Sequence, residues 1–258
     1  MIHPSAIVDP AAKLGQDCEI GPFCVIGPEV TLGDRVVVKS HAVITGWTEV
    51  GDDTIIFPFA VVGEVPQDLK FRGERTRLII GKRNRIREGA TMNVGTEGGG
   101  GETRVGDDGL FMTGSHVGHD AIIGDRVILA NQAAVAGHCV LGDDVIVGGL
   151  SGIHQWVRVG RGAIIGAVTM VTNDVLPHGL VQGPRGELDG LNLVGLKRRG
   201  VERSEITALR AGYQMLAQGE GTFLDRARRL HDETESVHVR EMTAFILAAT
   251  DRSFLTPK

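Results

Sequence analysis

Aromatic side chains are scarce in this sequence: 2 Trp, 1 Tyr and 8 Phe among 258 residues. Any core must therefore be built from aliphatic residues. No run of 18 apolar residues occurs, which excludes a helix spanning a bilayer. Positive charge is not in excess either. The net charge of −5 argues against a protein devoted to nucleic acid. The opening Met1-Ile2-His3-Pro4 lacks the basic and then apolar pattern of a secretion signal, so a cytoplasmic, soluble protein is expected. Cysteine is limited to Cys18, Cys24 and Cys139, an odd number without metal-type spacing. They fit small core residues in a reducing compartment.

Glycine, by contrast, is abundant at 37 residues, about twice the usual ~7%. It is unevenly spread. Residues 1–191 hold 32 glycines and a net charge of −7, whereas residues 192–258 hold 5 and carry +2. Two architectures are expected to join near residue 190.

The first of them repeats. Every sixth residue from Ile2 through Val8, Leu14, Ile20, Ile26, Leu32, Val38, Ile44, Val50 and Ile56 to Val62 is aliphatic. The same phase returns at Ile80, Ile86 and Met92, and resumes one residue later from Val105 to Val171. A period of six fits neither a helix of 3.6 residues per turn nor a simple alternating strand. It fits a parallel β-helix in which each short strand supplies one inward side chain and a small or acidic residue turns the corner. Two interruptions, residues 63–79 and 94–104, read as loops leaving the repeat. The second contains Gly98-Gly99-Gly100-Gly101 but lacks the Gly-Lys-Ser/Thr ending of a nucleotide-binding P-loop.

Beyond residue 191 the spacing becomes helical. Ile206, Leu209, Tyr213 and Leu216 mark one helix. Thr222 with Asp225 three residues on caps a second running through Leu230. Val237 to Ala249 forms a third, with Met242, Phe245 and Ile246 on one face.

Four histidines stand out. His116 and His119 flank the inward Val117, His138 follows Val135, and His154 follows Ile153. These three inward residues are 18 apart, so they stack in consecutive coils if three hexads make a turn. The four histidines should then gather at one corner, projecting outward. A neutral imidazole oriented by a carboxylate can take a hydroxyl proton, and His119 beside Asp120 suits that role. Alternatively His116, His119 and His138 offer the nitrogen set of a zinc site, as in the β-helical carbonic anhydrases.

The hexads resemble the hexapeptide-repeat acyltransferases, which form left-handed parallel β-helices with three hexads per coil. The wider motif set is more specific: Gly63-Glu64-Val65-Pro66-Gln67-Asp68-Leu69-Lys70, Gly118-His119-Asp120, Gly137-His138, His154-Gln155 and Leu191-Asn192-Leu193-Val194-Gly195-Leu196-Lys197-Arg198-Arg199-Gly200. Together they resemble the UDP-N-acetylglucosamine O-acyltransferases along the whole chain. The resemblance implies a mainly β fold: a left-handed β-helix over 1–190, then a helical domain over 191–258. It implies transfer of an (R)-3-hydroxyacyl group from acyl carrier protein to the sugar 3-hydroxyl, opening lipid A synthesis in Gram-negative bacteria, in a homotrimer with sites between subunits. No resident cofactor or metal is expected, since the 4′-phosphopantetheine arrives on the donor. By this resemblance His119 is the general base, Asp120 its orienter, and the Gly137 N–H the oxyanion donor. Gln67, Asp68 and Lys70 match sugar and acyl contacts, while Gln155, Asn192, Arg198 and Arg199 match nucleotide-sugar contacts. His116, His138 and His154 line the cleft, and Ala167 ends the acyl groove. Val194 and Val94 depart from the family pattern, where an acidic residue and an arginine are common. The lipid A N-acyltransferases are the nearest rival, but they carry a domain ahead of the repeat, whereas hexads here begin at Ile2. The run Lys82-Arg83-Asn84-Arg85-Ile86-Arg87 is a candidate docking surface for an acidic carrier protein.

Overall fold

The structure, a computed structural model, describes residues 1–248 and 250–257. The hexads form short strands, mostly of two residues, in three sheets of 9, 8 and 10 strands, parallel except for the last strand of the third; these are the faces of a triangular solenoid. Sequential strands belong to different sheets, so the chain visits each face once per coil. The register pairs Ile26 with Ile44 and Val117 with Val135, 18 residues on, which confirms three hexads per turn. From Ile20 onward the inward residues are buried. Each buries an aliphatic side chain worth roughly 1.5–3 kcal/mol. Ile2 is half exposed because no coil lies beneath it.

The hexad is short because each corner turns in a single residue with positive φ. Phe23, His41 and Phe59 do this at one corner, Arg35, Asp53 and Arg83 at another, and Asp120, His138 and Trp156 at the third. The left-handed backbone of these non-glycine residues is thus a property of the corner rather than of a site. One inward residue is aromatic: Phe111 fits because Gly109 has no side chain, and a Cβ there would lie 2.6 Å from the Phe111 ring. Cys24 and Cys139 are buried, and burial pushes the Cys139 thiol up to about 12. Such a thiol is a packing group, inert as a nucleophile.

The interruptions are partly structured. Strands Val61–Glu64, Arg77–Ile80 and Glu102–Val105 run into them, and Glu97–Gly99 forms a 3-10 turn. Most charges of the Lys82–Arg87 run are paired at the surface, while Arg85 is exposed without an ion-pair partner among the described residues. Lys82 pairs with Asp52, Arg83 with Asp107 and Asp108, and Arg87 with Glu88. Asn84 is buried and donates to the Gly106 carbonyl. Glu88 is the next residue in the chain, but the partners of Lys82, Arg83 and Asn84 lie on neighbouring coils, where linear sequence does not display them.

After the last coil, strands Gly179–Gln182 and Glu187–Leu191 form an antiparallel pair. Four helices follow: α1 (Leu193–Arg198), α2 (Arg203–Gln218), α3 (Phe223–Glu233) and α4 (Val237–Leu247). Thr222 and Asp225 form a reciprocal capping box on α3. Helix α4 ends at Leu247, short of the expected Ala249, which lies outside the described residues. Helix α1, six residues long, has no periodic signature and was not expected. No helix among the described residues is long and apolar enough to cross a membrane. The tail returns to the solenoid through Asp174, which accepts from Arg158 Nε at 2.6 Å and pairs by backbone with Ser253 and Leu255.

Candidate active site

The nine-stranded sheet carries His116 on its outer face, and the corner after it carries Asp120, His138 and Trp156 in successive coils. Stacking brings His119 and His138 edge to face, ring centroids 4.9 Å apart. Not all of this outer corner is open to solvent. His119 is only 7% exposed and Asp120 only 5%, because the glycine loop folds over them.

The Asp120 carboxylate is fully engaged. Oδ1 accepts the Thr96 N–H at 2.7 Å, and Oδ2 accepts the Thr96 hydroxyl at 2.6 Å. Oδ2 also lies 2.7 Å from His119 Nδ1. That bond directs Nδ1–H at the carboxylate and leaves the Nε2 lone pair free to accept a proton. Nε2 faces Gly137, where a Cβ would lie 2.6 Å away. The Gly137 N–H has no hydrogen-bond acceptor among the described residues. Gly118 keeps it approachable, since a Cβ there would sit 2.8 Å from the Gly137 nitrogen. The free ring nitrogen thus lies beside a residue whose backbone donor is unpaired.

The surrounding residues divide. His116 Nδ1 bonds the Thr91 hydroxyl at 2.8 Å. Burial, then the charge of His119, pushes its pKa below the ordinary histidine value. Burial also lowers His138, against the opposing charge of Asp120. Lys70 N–H closes a turn on Asp68 at 2.9 Å, and the Asn93 amide holds the loop's root through the Glu64 and Val65 carbonyls. Gln67 is exposed on the same loop. His154 and Gln155 are exposed on the next coil, with His154 Nδ1 turned to the Gln155 carbonyl. Ala167 is exposed two coils beyond Asn131.

The Leu191–Gly200 motif sits farther off. Asn192 is buried, its amide donating to the Gly162 carbonyl and its oxygen capping α1 at Gly195. Arg199 packs against His178, and Arg198 is exposed at the end of α1 without an ion-pair partner among the described residues. Val94 is buried, packing where a Cβ on Gly46 would meet it at 3.2 Å, while Val194 is exposed.

Sequence reasoning missed Trp156. Its indole stacks on His138, centroids 3.8 Å apart and planes 6° from parallel, though half exposed. The 18-residue step from His138 was the available signal. Thr96 was also missed.

A metal could be weighed here, since ligand atoms of His119, Asp120 and His138 lie within 4.8 Å of one another. This differs from the sequence-based set, as His116 is not a member. Both Asp120 oxygens already accept N–H or O–H donors, which a cation would have to displace. The donor set suits an oriented imidazole better than a metal.

Comparisons with known proteins give the family. The family described as "Udp N-acetylglucosamine O-acyltransferase; Domain 2" matches residues 174–255, and "Bacterial transferase hexapeptide (six repeats)" matches residues 1–46. The acyl-[acyl-carrier-protein]--UDP-N-acetylglucosamine O-acyltransferase of Paracoccus denitrificans is 72% identical over 79% of this chain and 77% of its own. That of Caulobacter vibrioides is 47% identical over 100% and 98%. The solved UDP-N-acetylglucosamine acyltransferase from Campylobacter jejuni superposes with a TM-score of 0.94 at 38% identity, covering 100% of both chains. The solenoid is accordingly a left-handed β-helix, and the chain belongs to the acyl-[acyl-carrier-protein]--UDP-N-acetylglucosamine O-acyltransferase family.

Proposed function

We propose that this protein transfers an (R)-3-hydroxyacyl group from acyl carrier protein to the 3-hydroxyl of UDP-N-acetylglucosamine, the first step of lipid A synthesis. The observation that carries the chemistry is the Asp120-oriented His119 ring packed beside Gly137, whose N–H is unpaired. The imidazole takes the sugar hydroxyl proton as the oxygen attacks the thioester carbonyl. The Gly137 N–H holds the resulting oxyanion. Collapse breaks the carbon–sulfur bond, and His119 returns its proton to the departing thiolate. Asp120 keeps Nδ1 protonated throughout, so the tautomer is fixed. No acyl-enzyme forms, and the only prosthetic group is the donor's own 4′-phosphopantetheine.

Around this centre we assign Gln67, Asp68 and Lys70 to the sugar and acyl hydroxyl, and His116, His138, His154 and Gln155 to the cleft walls. The unpaired charge of Arg198 suits a diphosphate. Asn192 and Arg199 act by fixing α1 against the solenoid, which presents Arg198. Free thiols and a carrier-protein donor suit a cytoplasmic setting.

The test is an assay of purified protein with 3-hydroxyacyl carrier proteins of several lengths and UDP-N-acetylglucosamine. The expected product is an alkali-labile ester; an alkali-resistant amide would overturn the O-acyl reading. If Ala167 ends the acyl groove, Ala167→Gly shifts the optimum to longer chains. Each buried methylene is worth ~0.8 kcal/mol, so two carbons change selectivity by roughly tenfold. An unchanged profile places the ruler elsewhere.

Assembly as a homotrimer is supported by the corner on the other side of the same sheet. Phe23 and Phe59 flank His41 in an aromatic ladder with 5.0 Å steps, and, beyond Gly89, Gly114 and Gln132, Leu150 and Val168 expose further apolar surface at the same corner. Such a surface is costly to leave in water. Sedimentation should give the mass of three chains, and a single-chain mass at assay concentration would overturn this.

A further inference from the structure

The glycine loop has no part in the function assigned so far, yet it makes the tightest contacts in the site. We propose that residues 95–101 form a positioning clamp, with Thr96 as its working residue, that sets the Asp120 carboxylate for His119. This rests on the reading of His119 as the base.

The geometry is specific. Thr96 gives two donors to one carboxylate: its N–H to Oδ1 at 2.7 Å and its hydroxyl to Oδ2 at 2.6 Å. Two donors from one residue fix the carboxylate plane, so Oδ2 has a single direction in which to meet His119 Nδ1. The Asp120 N–H is tied separately to the Thr103 hydroxyl at 2.7 Å, so backbone and side chain of Asp120 are both anchored. All of these groups are buried. A carboxylate left to rotate would carry the imidazole with it, because that ring has no other hydrogen-bond partner among the described residues.

The glycines follow from the same contact. A Cβ on Gly99 would lie 2.0 Å from Asp120 Cγ and 2.2–2.4 Å from its oxygens, so only glycine lets the loop close over the carboxylate. Gly100 and Gly101 then turn the chain with φ of 99° and 80°. The loop locks onto Thr96 itself, whose carbonyl accepts the N–H groups of Gly99 at 3.1 Å and Gly101 at 2.8 Å. The loop that leaves the repeat is a closed turn built around one aspartate.

Thr96 would act only through Asp120, and that is testable. Thr96→Val keeps the volume and the N–H but removes the hydroxyl. A hydrogen bond to a charged group of this kind corresponds to a fall in kcat of roughly tenfold, with KM for the nucleotide sugar unchanged. Thr96→Ser restores turnover. In an Asp120→Ala background, Thr96→Val causes no further loss, because the partner is gone. Gly99→Ala, reaching the carboxylate from the loop side, is likewise silent in that background. Wild-type turnover in Thr96→Val, or equal losses with and without Asp120, overturns the clamp while leaving the base intact. Retained turnover in His119→Ala overturns the base assignment, and the clamp with it.

Discussion

His119→Ala is expected to lower kcat by roughly 10²–10⁴-fold, the range for loss of a positioned general base. KM for the nucleotide sugar should change little, since the imidazole interacts with a proton in flight more than with the bound sugar. The protein should remain folded. The substitution removes one of three groups on the Asp120 carboxylate, and both Thr96 donors stay. Leaving that oxygen short of a partner costs about 1–3 kcal/mol, in a solenoid whose coils are each joined to the next by strand pairs on every face. Steady-state kinetics with a thermal melt separate the two effects. Near-normal turnover in a protein that melts like the parent would remove His119 from the mechanism. His116→Ala provides the contrast. His116 bonds Thr91 rather than the carboxylate, so its loss should act mainly on substrate binding.

The coils were legible because their cause is periodic. An inward Val, Ile or Leu every six residues states the sheet, the corner and the 18-residue stack at once, and placed His119 near His138 before any coordinates. The capping box at Thr222 and Asp225 was legible for a different reason, being local chemistry within four residues. What escaped has neither property. Thr96 reaches Asp120 across 24 residues through a loop that obeys no period. The pairing of Arg83 with Asp108 spans 25 residues over an insertion that breaks the 18-residue step. Burial of His119 and Asp120 escaped likewise, because the strand pattern marks His119 as outward and does not show the loop that closes on Asp120. Trp156 is the instructive omission. It obeys the period, one coil past His138, but the pattern says only that the two residues are neighbours. That an indole there lies flat on an imidazole is a matter of side-chain torsion, which spacing does not encode.

Gly137→Ala should cost about 100-fold in kcat, and it separates two roles that one residue position combines. Alanine keeps the backbone N–H, so the oxyanion donor survives. Gly137 is absent from the residues of positive φ, so the backbone accepts a Cβ without torsional strain. The new methyl falls 2.6 Å from both Cε1 and Nε2 of His119, and 3.1 Å from Nδ1. Ordinary carbon–nitrogen contact needs about 3.5 Å or more, so the ring must retreat by roughly an ångström. It has little room, being pinned by Asp120 at 2.7 Å and faced edge-on by His138. Displacement of a reacting group on that scale costs on the order of 10²-fold in rate, and the binding of UDP-N-acetylglucosamine should be nearly preserved. If the base were elsewhere, the methyl would press on a bystander and kcat would hardly move. The decisive comparison is Gly137→Ala placed on His119→Ala: with the ring gone the methyl meets nothing, and the second substitution should add no further loss. A full additional loss there would show that Gly137 serves the site in some way other than by leaving room for His119.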